Sequence, residues 1–192
     1  MILGITGSIG SGKTTITKMF SKYHYNRIDA DEIGHELLKS DKIKNKLVKI
    51  FGNGILDKKM EINRKKLGNI VFNDRKKLEK LNSIMHPLII NEIKNQVKEI
   101  QEKCGNDAKI IVDAPLLLET SLKDYVDMIV VVKSDKNKII KRLNKRFPRE
   151  KIERILNAQM PLERKLRHAD IVIDNRGDLK NLEKQIKKIL AN

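Results

Sequence analysis

A chain of 192 residues with 40% apolar content is long enough for one α/β core carrying an inserted subdomain. A single cysteine, Cys104, excludes an internal disulfide; four scattered histidines (His24, His35, His86, His168) lack metal-ligand spacing; and no run approaches the ~18 apolar residues of a membrane span. The net charge of +16 suits polyanions, whether phosphorylated metabolite, nucleic acid or acidic lipid, although a lysine-borne excess in an Ile- and Asn-rich chain equally fits compositional bias.

Taken in chain order, short apolar runs alternate with amphipathic stretches, which predicts an open parallel sheet flanked by helices. Ile2 to Thr6 reads as a first buried strand, and a helix starts at Lys13 with Ile16, Met19 and Phe20 on one face. Arg27 to Asp29 is a short second strand. Residues 40–105 read as a helical insertion, its clearest helix being Leu88 to Lys103, opened by His86-Pro87 and stopped by Gly105. Strands resume at Lys109 to Val112, Met128 to Val132 and Ile171 to Ile173. A last helix, capped by Asp178, turns Leu179, Leu182, Ile186 and Ile189 inward. The core then comprises 1–39 and 106–192, and one compact domain is expected. No basic region followed by an apolar run and a cleavage site opens the chain, so a cytoplasmic location is expected.

The most specific pattern is Gly7-Ser8-Ile9-Gly10-Ser11-Gly12-Lys13-Thr14, which fits G-x-x-x-x-G-K-[ST] between a predicted strand and a predicted helix. Gly7, Gly10 and Gly12 let the backbone curl so that its N–H groups, Ser11 and Thr15 among them, face an anion at a helix N-terminus. Lys13 would bridge the β- and γ-phosphates of ATP, and the Thr14 hydroxyl would ligate Mg²⁺.

The phosphate loop does not identify an acceptor. Asp29-Ala-Asp31 lies at the carboxyl end of the second strand, the rim where such sheets bind ligands. Asp31 reads either as the base that takes an acceptor hydroxyl's proton or as the N-cap of a helix over 32–38. Asp113 ends the third strand, where a metal-organising aspartate belongs, or is a solvated strand end. Arg142, Arg146, Arg149 and Arg154 surround Pro148, and the basic loop it creates either closes over phosphates or simply solvates itself. His86 before Pro87 reads as a turn residue.

T-G-S-I-G-S-G-K-T-T, I-D-A-D from Ile28, H-P at 86, D-A-P-L-L-L-E from Asp113, R-L-N-K-R from Arg142 and A-D-I-V-I-D-N from Ala169 together resemble the dephospho-coenzyme A kinases. The resemblance spans essentially the whole chain. It implies a P-loop NTPase fold: an open parallel five-stranded sheet, a helical acceptor-binding insertion over about 40–105 and a lid over about 142–165. It also implies transfer of phosphate from ATP to the ribose 3′-hydroxyl of dephospho-coenzyme A. Carried over by position, Asp31 matches the general base, Arg64 and His86 the acceptor region, Arg142 and Arg146 the lid, and Asn175 the backbone beside the adenine. Ser8 replaces a usual glycine, at a position the phosphate-loop pattern leaves open.

Residues 40–103 hold 16 Lys/Arg against 8 Asp/Glu, a surface suited to a pyrophosphate-bearing acceptor and also to a nucleic-acid backbone. The alternatives are a nucleoside monophosphate kinase on the same fold and a nucleic-acid-dependent ATPase. Aromatic content of 4% leaves few rings on which single-stranded bases could stack, and no nucleic-acid or membrane partner is expected. The expected form is a monomer or small homo-oligomer.

Overall fold

The computed structural model describes residues 1–190. They form two compact units: Met1–Asp29 with the chain from Asn95 onward, and Ala30–Lys94. The helical insertion expected over about 40–105 overlaps the second.

The first unit is built on five strands, β1 (Ile2–Gly7), β2 (Asn26–Asp29), β3 (Ile110–Asp113), β4 (Met128–Lys133) and β5 (Ile171–Asp174). They run parallel in the order β2-β3-β1-β4-β5. Every residue of β1 and β3 is buried, as their largely apolar runs predict for strands covered on both faces. Register sets Asp29 beside Asp113 and Ile5 beside Asp113, so both carboxylates stand at one edge of the sheet. Helices α1 (Lys13–Ser21) and α9 (Leu179–Leu190) pack Ile16, Phe20, Leu182 and Ile186 onto Leu3, Ile5, Val130, Val132 and Ile173. Asp178 caps α9, its Oδ1 accepting the Asn181 N–H at 2.8 Å. Leu179 does not turn inward: it is 62% exposed, because the buried stripe begins one turn later, at Leu182.

The second unit contains α2 (Ala30–Leu37), α3 (Asp41–Phe51), α4 (Arg64–Val71) and the first part of α5 (Arg75–Cys104). Its own core joins Ile43, Leu47, Ile55, Leu67, Val71, Ile84 and Met85. An isolated bridge between Leu56 and Ile62 is its β pairing. The expectation that His86-Pro87 opens a helix is overturned, since α5 begins at Arg75 and runs through Pro87. Asp74 Oδ1 accepts the Lys77 N–H at 3.2 Å and caps this end. Proline costs one backbone bond and some strain, but Ile84 and Met85 are buried just before it and Ile93 and Val97 after it, so burial holds both halves. Gly105 does stop the helix, with a φ of 86° and its N–H on the Gln101 carbonyl at 2.9 Å.

Three further helices belong to the sheet unit: α6 (Lys136–Leu143), α7 (Arg149–Ala158) and α8 (Leu162–Leu166). Pro148 separates the first two, as its missing N–H requires. Among the described residues no helix is long and apolar enough to cross a membrane.

Candidate active site

The segment between β1 and α1 curls as the glycine spacing demands. Gly10 and Gly12 have φ of 72° and 98°, left-handed values that side chains rarely tolerate. At Gly12 a Cβ would also stand 2.0 Å from Asn175 Nδ2, so the site excludes a side chain twice over. Lys13 is buried inside the curl, its Nζ donating to the carbonyls of Gly7 at 3.0 Å and Ser8 at 3.4 Å. Thr14 and Thr15 are exposed on the first turn of α1, and the buried Ser11 hydroxyl has no hydrogen-bond partner. The N-terminus of α1 presents N–H groups and a partial positive charge at the same place.

Two expected residues hold this curl from outside. Arg142, in the last turn of α6, donates to the Gly10 carbonyl at 3.1 Å and to Ser134 Oγ at 3.4 Å. Asn175, just beyond β5, donates through Nδ2 to the Ser11 carbonyl at 2.6 Å, and its backbone N–H to Lys133 O at 2.8 Å. Pulling carbonyls outward turns neighbouring N–H groups inward. Arg146 lies exposed in the turn after α6, while Arg149 and Arg154 sit on α7, so the expected basic loop is mostly helix.

Asp113 is 4% exposed, and it is paired: Arg27 Nη2 bonds its carboxylate at 3.2 Å and also bonds Asp29. Burial pushes the Asp113 carboxyl above its ordinary value, opposed by the charges of Lys13 and Arg27. A carboxylate raised in the folded state costs stability while ionised, a cost present above its folded pKa and lost as pH falls toward the ordinary 3.8. Relative to Asp113→Asn, which does not titrate, the native protein is therefore expected to gain melting temperature from pH 7 down to about pH 4. A constant difference between the two across that range would show that Asp113 is not raised.

Asp31, Arg64 and His86 all belong to the helical unit. Asp31 lies exposed in the first turn of α2, which begins at Ala30, so it is not the N-cap the alternative reading required. Arg64 is the first residue of α4, exposed, behind Asn63 whose Oδ1 accepts the Lys66 N–H. His86 sits inside α5, partly buried, rather than in a turn.

Several polar contacts escaped the sequence reading. Arg27 shares a strand face with Asp29, two residues apart, and that spacing was the available signal. Lys165 is wholly buried, with Nζ 2.8 Å from Pro115 O and 3.1 Å from Glu119 Oε1. Burial lowers its pKa and Glu119 opposes the fall. Gln159 Oε1 accepts the Ile9 N–H of the curl at 3.0 Å. In a chain with 41 basic residues, nothing local marks Lys165.

A phosphate loop of this kind at the carboxyl edge of a parallel five-stranded sheet, with Arg142 of α6 bonded to it, makes the chain a P-loop nucleotide-binding protein. A family model described as dephospho-CoA kinase matches residues 1–181, and the chain belongs to that family of ATP-dependent kinases. A dephospho-CoA kinase of Fusobacterium nucleatum is 40% identical over 192 residues, covering 98% of this chain and 96% of the relative. Among solved structures, a Thermus thermophilus protein superposes with a TM-score of 0.81 at 26% identity, covering 100% of this chain and 96% of that one. A dephospho-CoA kinase from Campylobacter jejuni gives a TM-score of 0.71 at 26% identity, covering 99% and 95%.

Proposed function

We propose that this enzyme transfers the γ-phosphate of ATP to the ribose 3′-hydroxyl of dephospho-coenzyme A, completing coenzyme A synthesis in the cytoplasm. The observation that carries the reading is the formed phosphate loop, with Lys13 buried in it, in a chain of this family. The sheet unit would hold ATP, and the basic helical unit the acceptor, with the arm over about 142–165 as lid. In the reaction a bond forms between the 3′-oxygen and the γ-phosphorus as the bond to the β-phosphate oxygen breaks, releasing ADP. Asp31 would orient the hydroxyl and take its proton. Lys13, Arg142 and Arg146 would meet the charge that spreads over the transferring group.

Magnesium fits this site only as a companion of the nucleotide. Among the described residues no group of three His, Cys, Asp or Glu could hold a metal, and Asp113 already answers Arg27. The exposed Thr14 hydroxyl would hold the ion directly and Asp113 would serve as an outer partner. When bound, the ion neutralises charge between the β- and γ-phosphates.

His86 and Arg64 would bind the acceptor, Arg64 through a charge-assisted contact to its pyrophosphate. Arg64→Ala is expected to raise acceptor KM about tenfold or more while KM for ATP stays near its native value. Equal effects on both substrates, or none, would make Arg64 a solvated helix residue. The function itself is tested by one coupled ATPase assay with dephospho-coenzyme A, each nucleoside monophosphate or DNA added in turn. Stimulation by a monophosphate or by DNA, with none by dephospho-coenzyme A, would overturn the assignment.

A further inference from the structure

The chain from α6 to the end of α7 touches the phosphate loop at three places. Arg142 takes the Gly10 carbonyl, as described. The Ile9 side chain packs into a small core of Ile139, Leu143, Ile152, Phe147 and Leu156, drawn from both helices and the turn between them. At the far end, Gln159 Oε1 receives the Ile9 N–H. Ile9 is thereby gripped by side chain and backbone together, and Gln159 supplies the backbone grip.

Gln159 is itself anchored. The next residue, Met160, donates its N–H to Glu119 Oε1 at 2.9 Å, and that carboxylate pairs with Lys165 at 3.1 Å. The remaining acceptors of Lys165 are Pro115 O at 2.8 Å and Thr6 Oγ1 at 3.5 Å. Thr6 immediately precedes Gly7, the first residue of the loop, so the anchor ties the foot of the arm to the strand that carries the loop. A fully buried ammonium with all three protons answered is a fixed point, since moving it would leave unpaired charge.

We infer that Gln159 is a positioning residue of the phosphate loop, set in place by the Lys165–Glu119 pair, and that the two act as one unit in nucleotide binding. By fixing the Ile9 peptide, Gln159 holds the loop in its curled form before the nucleotide arrives, so less order must be imposed on binding. The inference rests on the loop being the nucleotide site. It does not depend on which acceptor the enzyme takes.

The test measures ADP binding by calorimetry with Mg²⁺ and Ile9 amide exchange by NMR, in the native protein, Gln159→Leu, Lys165→Met and the double variant. ADP binding by the native protein comes first; a failure there removes the nucleotide site itself. Gln159→Leu is expected to weaken ADP about 3- to 10-fold, the worth of one hydrogen bond, and to speed exchange at Ile9. Lys165→Met is expected to do the same from a distance, and the double variant to be no worse than the stronger single one. If Lys165→Met does not fold, Glu119→Gln replaces it, since it weakens the anchor while keeping an acceptor for the ammonium, and that side chain is 22% exposed. Native ADP affinity and native Ile9 exchange in Gln159→Leu would overturn the proposal. Strictly additive losses in the double variant would overturn the coupling.

Discussion

Lys13→Ala is expected to abolish phosphoryl transfer almost completely while the far-ultraviolet circular dichroism stays native. The side chain lies buried in the loop, where its ammonium has the carbonyls of Gly7 and Ser8 as acceptors. Phosphate oxygens are stronger acceptors for it than two neutral carbonyls, and in the transition state their charge spreads toward the leaving oxygen. Removing the ammonium leaves that charge unanswered in a partly water-excluded site. The fold has little stake in it, because β1 and α1 on either side of the loop are held by their own core of Leu3, Ile5, Ile16 and Phe20. Turnover within about tenfold of native, a loss of only ~1.4 kcal/mol, would show that Lys13 does not act on the phosphates.

Asp31→Asn is the second large expected loss, about 10²–10⁴ in kcat, with the dissociation constant for Mg·ATP little changed. The variant keeps shape and hydrogen-bonding reach but cannot accept the acceptor's proton. Through its helix, Asp31 has a modest structural role: it sits in the first turn of α2, where a negative charge interacts favourably with the helix dipole. Losing that charge costs about 0.3–1 kcal/mol, so a small fall in melting temperature accompanies the kinetic loss and does not explain it. Native kcat at saturating acceptor would exclude Asp31 as the base and direct attention to Asp29 or Glu32.

What the sequence disclosed and what it hid divide along a physical line. Strands β1, β3 and β4 are legible because their central residues are buried and mostly apolar, a run that local pattern reveals. The phosphate loop is legible because its function needs glycines and a lysine at fixed local spacing. Helix α5 is misread at Pro87 because local rules price the missing N–H but not the burial of Ile84, Met85, Ile93 and Val97 on either side. Partners distant in sequence stay hidden: Ile9 and Gln159 are 150 residues apart and Glu119 and Lys165 are 46 apart, and no local pattern links them. Asp113 is intermediate. Its strand-end place is readable, whereas its pairing with Arg27 depends on β2 and β3 being neighbours.

Among the described residues, the core gathered around Phe20, Val130 and Ile186 and the one around Leu47, Ile55 and Val71 have no member in common. Cooperativity is a property of a shared interior, and separate interiors can come apart at different free energies. Denaturation of this molecule need not be a single all-or-none event, and a melting temperature is then an average over more than one opening reaction. A lesion such as Asp31→Asn acts on the helical unit, whereas Lys13→Ala and Gln159→Leu act on the sheet unit. Each variant's stability is therefore best read from amide exchange within its own unit, where loss of order in 30–94 can be distinguished from loss of order in the sheet unit.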